Sequence, residues 1–179
     1  MKILVVSDSH GDRQIIADLL SRYVDDVTAI CHCGDSELPM NDPLAAKMTI
    51  VKGNMDTAPF PNDELVVMGG RRLLVTHGHL QQVNQGLLNL ELFAKSRNAN
   101  VVMFGHTHQL GVTMDQGILF INPGSISQPR GQYAAIGGTY AILTIDGDHY
   151  GVDYYNRQFQ PVDQLRFRCL LYTSDAADE

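Results

Sequence analysis

The chain predicts an α/β fold in which two mixed β-sheets pack as a sandwich flanked by helices, an α/β/β/α arrangement. Three observations lead there. The first third opens strand-helix-strand, the pattern of a parallel unit. The remainder is punctuated by apolar runs around Gly-containing turns, the pattern of hairpins. Six of the seven histidines fall in four short motifs that directly follow apolar runs, and only His149 stands outside them.

Taken in order, Lys2 to Ser7 is a short apolar run that ends in polar residues, as a buried strand does. Asp12 can cap a helix that carries Ile15, Ile16, Leu19, Leu20 and Tyr23 on one face. Val27 to His32 reads as a second strand. Thr49 to Lys52 reads as a third, after a loop with Pro39 and Pro43. Glu64 to Met68 and Arg72 to Thr76 flank Gly69-Gly70-Arg71, a hairpin signal. A second helix is expected over Val83 to Arg97, with Val83, Leu87, Leu90 and Ala94 on one face. Val101 to Phe104 is another buried strand. Two more hairpins follow, Gly111–Met114 with Ile118–Ile121, and Thr139–Ile145 with Tyr150–Tyr155.

The bulk properties bound the function. Residues 1–168 suit a single domain with a sizeable core. No run approaches the roughly 20 apolar residues of a membrane span. The apolar N-terminal stretch, Ile3 to Val6, is too short for a signal peptide and leads straight into a polar motif, so a cytoplasmic protein is expected. Cys31 and Cys33 are two apart, the wrong spacing for a redox pair, and are expected to be reduced. A net charge of −7 argues against general nucleic-acid binding. It leaves room for a small phosphoester substrate, because divalent cations reverse the local sign of an acidic site. Homo-oligomerisation is compatible with the sequence. Residues 169–179 resemble the translation of a transposase adapter used in preparing sequencing libraries, so this tail is expected to be non-native and to pack against nothing.

The motifs carry the chemistry. They are Asp8-Ser9-His10-Gly11, His32-Cys33-Gly34-Asp35, Gly53-Asn54, His77-Gly78-His79 and Gly105-His106-Thr107-His108. Glycine lets the chain turn where each strand ends, so that polar side chains enter a crevice. Asp8 and His10, like His106 and His108, are spaced to share one side of an extended segment. Oxygen and imidazole donors without thiolate suit Mn²⁺, Fe²⁺, Zn²⁺ or Ni²⁺. Seven such groups, Asp8, His10, Asp35, Asn54, His77, His106 and His108, are too many for one tetrahedral ion and suit two ions that share a carboxylate.

In this order the motifs resemble those of the calcineurin-like metallophosphoesterases, nearest to their small bacterial and archaeal YfcE-type phosphodiesterases. The likeness runs over roughly residues 1–156 and includes Asn122-Pro123-Gly124-Ser125. It implies that Asp8, His10, Asp35 and His108 hold one divalent ion, and that Asp35, Asn54, His77 and His106 hold a second, with Asp35 bridging. Mn²⁺ leads the candidates. It also implies metal-dependent phosphodiester hydrolysis by a bridging hydroxide, with Asp35, Asn54 and His77 acting through the metal-activated water. A phosphomonoesterase or nucleotide pyrophosphatase with the same site is the near alternative. A metal-free interaction scaffold of the same fold is the alternative from another class. Many relatives carry a His directly after Gly-Asn as a proton donor to the leaving group. Here Met55 stands in that place, and a thioether donates no proton. His79 is a candidate acid, with a supporting or surface role as its plain alternative. His32 is expected to steady a ligand carboxylate. Arg130 is a candidate contact for substrate phosphate, with a solvated loop arginine as its alternative.

Overall fold

A computed structural model of the chain describes residues 1–171. One sheet contains β1 (Lys2–Val6), β2 (Ala29–His32), β3 (Thr49–Ile50), β9 (Thr139–Asp146), β10 (His149–Asn156) and β11 (Pro161–Leu170), in the order β11-β10-β9-β1-β2-β3. The other contains β4 (Asp63–Met68), β5 (Arg71–Thr76), β6 (Val101–Met103), β7 (Gly111–Asp115) and β8 (Ile118–Asn122), in the order β4-β5-β6-β8-β7. Within the first sheet β1, β2 and β3 run parallel, and within the second β5, β6 and β8 do. The remaining neighbours are antiparallel. Both sheets are mixed, as expected.

The strand period of two sorts the side chains into layers. In β1, Ile3 and Val5 enter the core between the sheets, while Leu4 and Val6 face the opposite way. There they meet Ile15, Ile16, Leu19 and Leu20 of α1 (Arg13–Tyr23). In the second sheet Leu73, Val75, Val101, Met103, Leu119 and Ile121 point inward. Leu74, Val102 and Phe120 point outward against Leu90 and Ala94 of α2 (Leu88–Ser96). Burial on both faces explains why these strands read as continuous apolar runs rather than alternating ones. The helix-sheet-sheet-helix sandwich follows. No helix among the described residues is long and apolar enough to cross a membrane.

Local signals hold where they have a mechanism. The Asp12 side chain accepts from the Ile15 N–H and caps α1. Gly69 and Gly70, at φ 57° and 72°, form the two-residue turn between β4 and β5. The second helix is shorter than expected. Val83–Gln85 form a 3-10 turn, and Gly86 at φ 122° breaks the chain before Leu88. Periodicity alone did not see that break, because Val83 is buried in the same cluster as Leu90 and Ala94. The third strand is also shorter: the Lys52 N–H donates to Pro61 O at 2.7 Å instead of continuing a ladder.

β11 was not expected at all. It is an edge strand that pairs antiparallel with β10, and most of its residues are exposed or half-buried. Its outward face carries Arg166 and Arg168, as edge strands that resist aggregation do, while Leu165 and Phe167 alternate with them and pack against the core. It runs past residue 168, into the expected tail. Tyr150 pairs with Cys169 and His149 with Leu170, and the Leu171 N–H donates to Asp148 O at 2.8 Å. Those residues therefore pack, contrary to expectation. The free N–H and C=O groups along β10 accept whatever residues follow in register, so pairing is independent of their origin. The rest of the expected tail, 172–179, lies outside the described residues.

Candidate metal centre

The five motifs follow the C-terminal ends of β1, β2, β3, β5 and β6, and the strands of each sheet among these run parallel. Ligands of open α/β sheets bind in the crevice at such ends. The loops there are sharply bent. Asp8, His10, Asp35, His106 and His108 all lie at φ between 46° and 68°. A non-glycine residue costs of order 1–3 kcal/mol in that region, and such strain clusters at functional sites. Two glycines permit the close approach of the loops. A Cβ on Gly53 would collide with the Asp35 carboxylate, 2.6 Å from its Cγ. A Cβ on Gly105 would lie 2.5 Å from Asp8 Oδ2.

The sequence-predicted residues converge in two overlapping clusters whose donor atoms suit a metal ion: Asp8, His10 and His108, and Asp8, Asp35 and His77. In the first, His108 Nε2 lies 3.2 Å from Asp8 Oδ1 and 3.1 Å from His10 Nε2. In the second, His77 Nε2 lies 3.3 Å from Asp35 Oδ2 and 4.0 Å from Asp8 Oδ1. Asn54 Oδ1 joins the second cluster, 3.1 Å from His77 Nε2. His106 approaches through its ring, 5.1 Å between centroids from that of His77. The oxygen shared by the two clusters is Asp8 Oδ1, whereas the family resemblance places the bridge at Asp35. In this arrangement Asp35 Oδ1 accepts from the Met55 N–H at 2.7 Å, and Oδ2 turns toward His77.

The hydrogen bonds on the far side of each imidazole determine what faces the crevice. His77 Nδ1 donates to Cys33 O, His108 Nδ1 to Gln128 O, and His10 Nδ1 to Glu37 Oε1, at 2.7, 2.7 and 2.8 Å. With the proton on Nδ1, each neutral ring presents a lone pair at Nε2. His10 Nε2 and His108 Nε2 then meet as two acceptors, both facing Asp8 Oδ1. That oxygen is buried and has no hydrogen-bond partner among the described residues. Converging lone pairs with no donor between them are favourable around a cation and unfavourable without one. The residues present therefore fit a bound metal.

The titration behaviour agrees. Burial opposes charge on Asp8, but His108, His77 and Ser7 hold its pKa below the ordinary value. Burial likewise opposes charge on Asp35, and His77 pulls it down. Burial opposes the charge on His77, yet Asp35 and Asp8 raise its pKa. The Asp8 carboxylate, 3.2 Å from Nε2, raises that of His108. Two ionised carboxylates thus draw positive charge into a buried crevice. Thiolate does not compete, because burial pushes the Cys33 thiol well above its ordinary pKa.

The other expected residues lie nearby with narrower roles. His79 is half-buried, its ring 5.2 Å from that of His77 and 6.0 Å from that of His106. Burial, then His77 and His106, lower its pKa. Arg130 is exposed on the rim, its N–H donating to His108 O at 2.9 Å. Asn122 donates to Gly105 O and Thr107 Oγ1, and Ser125 Oγ donates to Asp8 O at 2.7 Å, so this segment braces the loops.

His32 touches no carboxylate, contrary to expectation. Its Nδ1 accepts from the Gly34 N–H at 3.2 Å, so Nε2 carries the proton and donates to Ser9 Oγ at 3.0 Å. It ties the β1 and β2 loops together as a neutral ring, and burial pushes its pKa down to about 4. A group whose pKa is depressed on folding takes up its proton on unfolding. Its contribution is present above about pH 6.5 and is lost as pH falls toward about 4, an amount of roughly 3 kcal/mol. Metal-free protein should show this loss in urea midpoints across that window. The slope should fall in His32→Gln, while the raised pKa values of His77 and His108 act in the opposite sense. An unchanged slope would assign it elsewhere, with His79 and His106 next, since their pKa values are lowered too.

Two residues carry more of the site than their sequence signal suggested. Asp56 is buried, and its carboxylate accepts from the N–H groups of Asp35, Gly53 and Glu37 at 2.8, 2.7 and 2.7 Å. Glu37 meets His10 as described.

Comparisons with known proteins identify the family. Residues 1–148 match the family model of the calcineurin-like phosphoesterase superfamily domain. The chain is 39% identical to the probable metallophosphoesterase YsnB of Bacillus subtilis, over 96% of this chain and 100% of that one. It is 38% identical to the phosphodiesterase YfcE of Escherichia coli K12, over 58% of this chain and 55% of that one. Among solved structures, a predicted phosphoesterase from Streptococcus pneumoniae TIGR4 superposes with a TM-score of 0.91 at 37% identity, covering 95% of this chain and 97% of that one. The chain belongs to the calcineurin-like phosphoesterase superfamily.

Proposed function

We propose that the chain is a phosphodiesterase of small phosphoesters that uses two divalent ions, with Mn²⁺ first among the candidates. Asp8, His10, Asp35 and His108 hold one ion, and Asp35, Asn54, His77 and His106 hold the other. The observation that carries this reading is the buried, unpartnered Asp8 Oδ1 facing the Nε2 lone pairs of His10 and His108. Without an ion, only a proton taken up by one of these rings would relieve that opposition. The three free cysteines suit a cytoplasmic location.

When bound, the ions supply a nucleophile from water at neutral pH and positive charge for the phosphate oxygens. The chain's own residues do the rest. Gln128 O, Cys33 O and Glu37 hold the imidazole tautomers. Ser7 Oγ donates to Asp8 Oδ2 at 2.5 Å and keeps Oδ1 turned to the crevice. Arg130 at the rim meets the incoming phosphate. No covalent intermediate on Ser9, Ser36 or Cys33 is required.

The departing oxygen has little help. Met55 is exposed beside Asp35 and has no proton to give. Burial, then His77 and His106, lower the pKa of His79, which disfavours the protonated form an acid needs. Rates on a panel of matched mono- and diesters, plotted against leaving-group pKa, test this reading. Diesters should be preferred, and aryl diesters should react much faster than alkyl ones. Met55→His should speed the alkyl diesters by up to about 100-fold, the lower range for a positioned general acid. A shallow dependence that Met55→His leaves unchanged would mean another acid already serves, and preference for monoesters would overturn the substrate assignment.

A further inference from the structure

His10 differs from His77 and His108 in what stands behind it. His77 and His108 donate from Nδ1 to neutral backbone carbonyls, whereas His10 donates to a carboxylate, Glu37, at 2.8 Å. Glu37 reaches that place on an unfavourable backbone, at φ 55°. It is held there: its N–H donates to Asp56 Oδ1 at 2.7 Å, and the next residue, Leu38, is buried. Asp56 in turn fixes the Asp35 and Gly53 N–H groups. One buried carboxylate therefore locks the loop that carries Asp35 and also aims Glu37 at His10. An ordinary surface ion pair does not need a strained backbone and is worth about 0–1 kcal/mol.

We propose that Glu37 is a positioning residue for metal binding: it fixes the tautomer and orientation of His10 and strengthens Nε2 as a donor. A carboxylate behind a histidine draws the Nδ1 proton toward itself and leaves Nε2 more electron-rich than a carbonyl would. The inference rests on the metal reading above and concerns one side of the site. His10 lies with Asp8 and His108, so loss of Glu37 weakens that position and spares the one built from Asp35, Asn54 and His77.

The test is titration of metal-stripped protein with Co²⁺ against a competing chelator, following both affinity and the visible Co²⁺ spectrum. Parent, Glu37→Gln and Glu37→Ala are compared, together with the melting temperature of each metal-free protein. In Glu37→Ala one equivalent should bind roughly 10–100-fold more weakly with an altered spectrum. The second equivalent and the metal-free melting temperature should stay near the parent's. Glu37→Gln keeps an amide oxygen for the Nδ1–H and loses the charge, so it should fall between the two. Unchanged affinity for both equivalents in Glu37→Ala would overturn the role of Glu37 and leave the metal reading intact. Equal loss at both equivalents, with a lowered metal-free melting temperature, would reduce Glu37 to a structural residue. A parent protein that binds no ion would overturn this inference and the metal reading together.

Discussion

Replacing Asp35 with asparagine is expected to cost at least about 100-fold in phosphodiester hydrolysis, more than the roughly 10–100-fold that loss of a residue behind a ligand costs. The reason is directional. Asp35 Oδ1 accepts from the Met55 N–H at 2.7 Å, and Oδ2 faces His77 Nε2 at 3.3 Å. An asparagine would keep its oxygen on the Met55 N–H, because only an acceptor suits that donor. Its NH₂ group would then face His77 and the crevice, and a neutral donor would replace an anionic acceptor where a cation is to be held. Bound metal measured by elemental analysis should fall with activity. His32→Ala should be milder, since among the described residues the His32 side chain bonds Ser9 Oγ and the Gly34 N–H and no candidate ligand. Equal metal loss in the two variants would mean that His32 matters to the ions as directly as Asp35 does.

Gly53→Ala should also be severe, although it removes no candidate ligand. An added Cβ would collide with the Asp35 carboxylate, and the atoms it meets include the Asp35 backbone nitrogen, which cannot swing aside as a long side chain can. The Gly53 N–H also donates to Asp56 Oδ2, so displacing this residue loosens the carboxylate that holds the Asp35 and Glu37 N–H groups. Metal content and activity should both drop by at least about 10-fold. The structure should stay folded, because Gly53 belongs to none of the apolar clusters that hold the sandwich together. Wild-type metal content in Gly53→Ala would show that the loops separate more easily than their spacing implies.

The parts of the fold that were legible in the sequence are those with a local cause. Ile3 to Val6 must be a buried strand because both of its faces are apolar, and the motifs must lie at strand ends because polar residues and glycines follow each apolar run. The candidate ligands were legible for the same reason. What escaped has long-range or conformational causes. Asp56 acts on N–H groups of residues 35 and 37, some twenty positions earlier, and backbone donors leave no mark in a sequence. Glu37 reads as an ordinary loop acid until its left-handed backbone turns it toward His10. The left-handed conformation of Asp8, His10, Asp35, His106 and His108 was equally hidden, since those residue types do not require it. β11 has the alternation of an edge strand, Leu165-Arg166-Phe167-Arg168, but its last residues fall in the segment read as a tail.

The claim that these side chains form a metal site which performs the chemistry is tested most directly by activity on an aryl phosphodiester before and after metal removal. Protein stripped with chelator and verified free of metal should be inactive. Mn²⁺ or another first-row ion should restore the rate, and Mg²⁺ should do so less well at a site this rich in imidazole. Full activity in the verified metal-free protein would contradict the account.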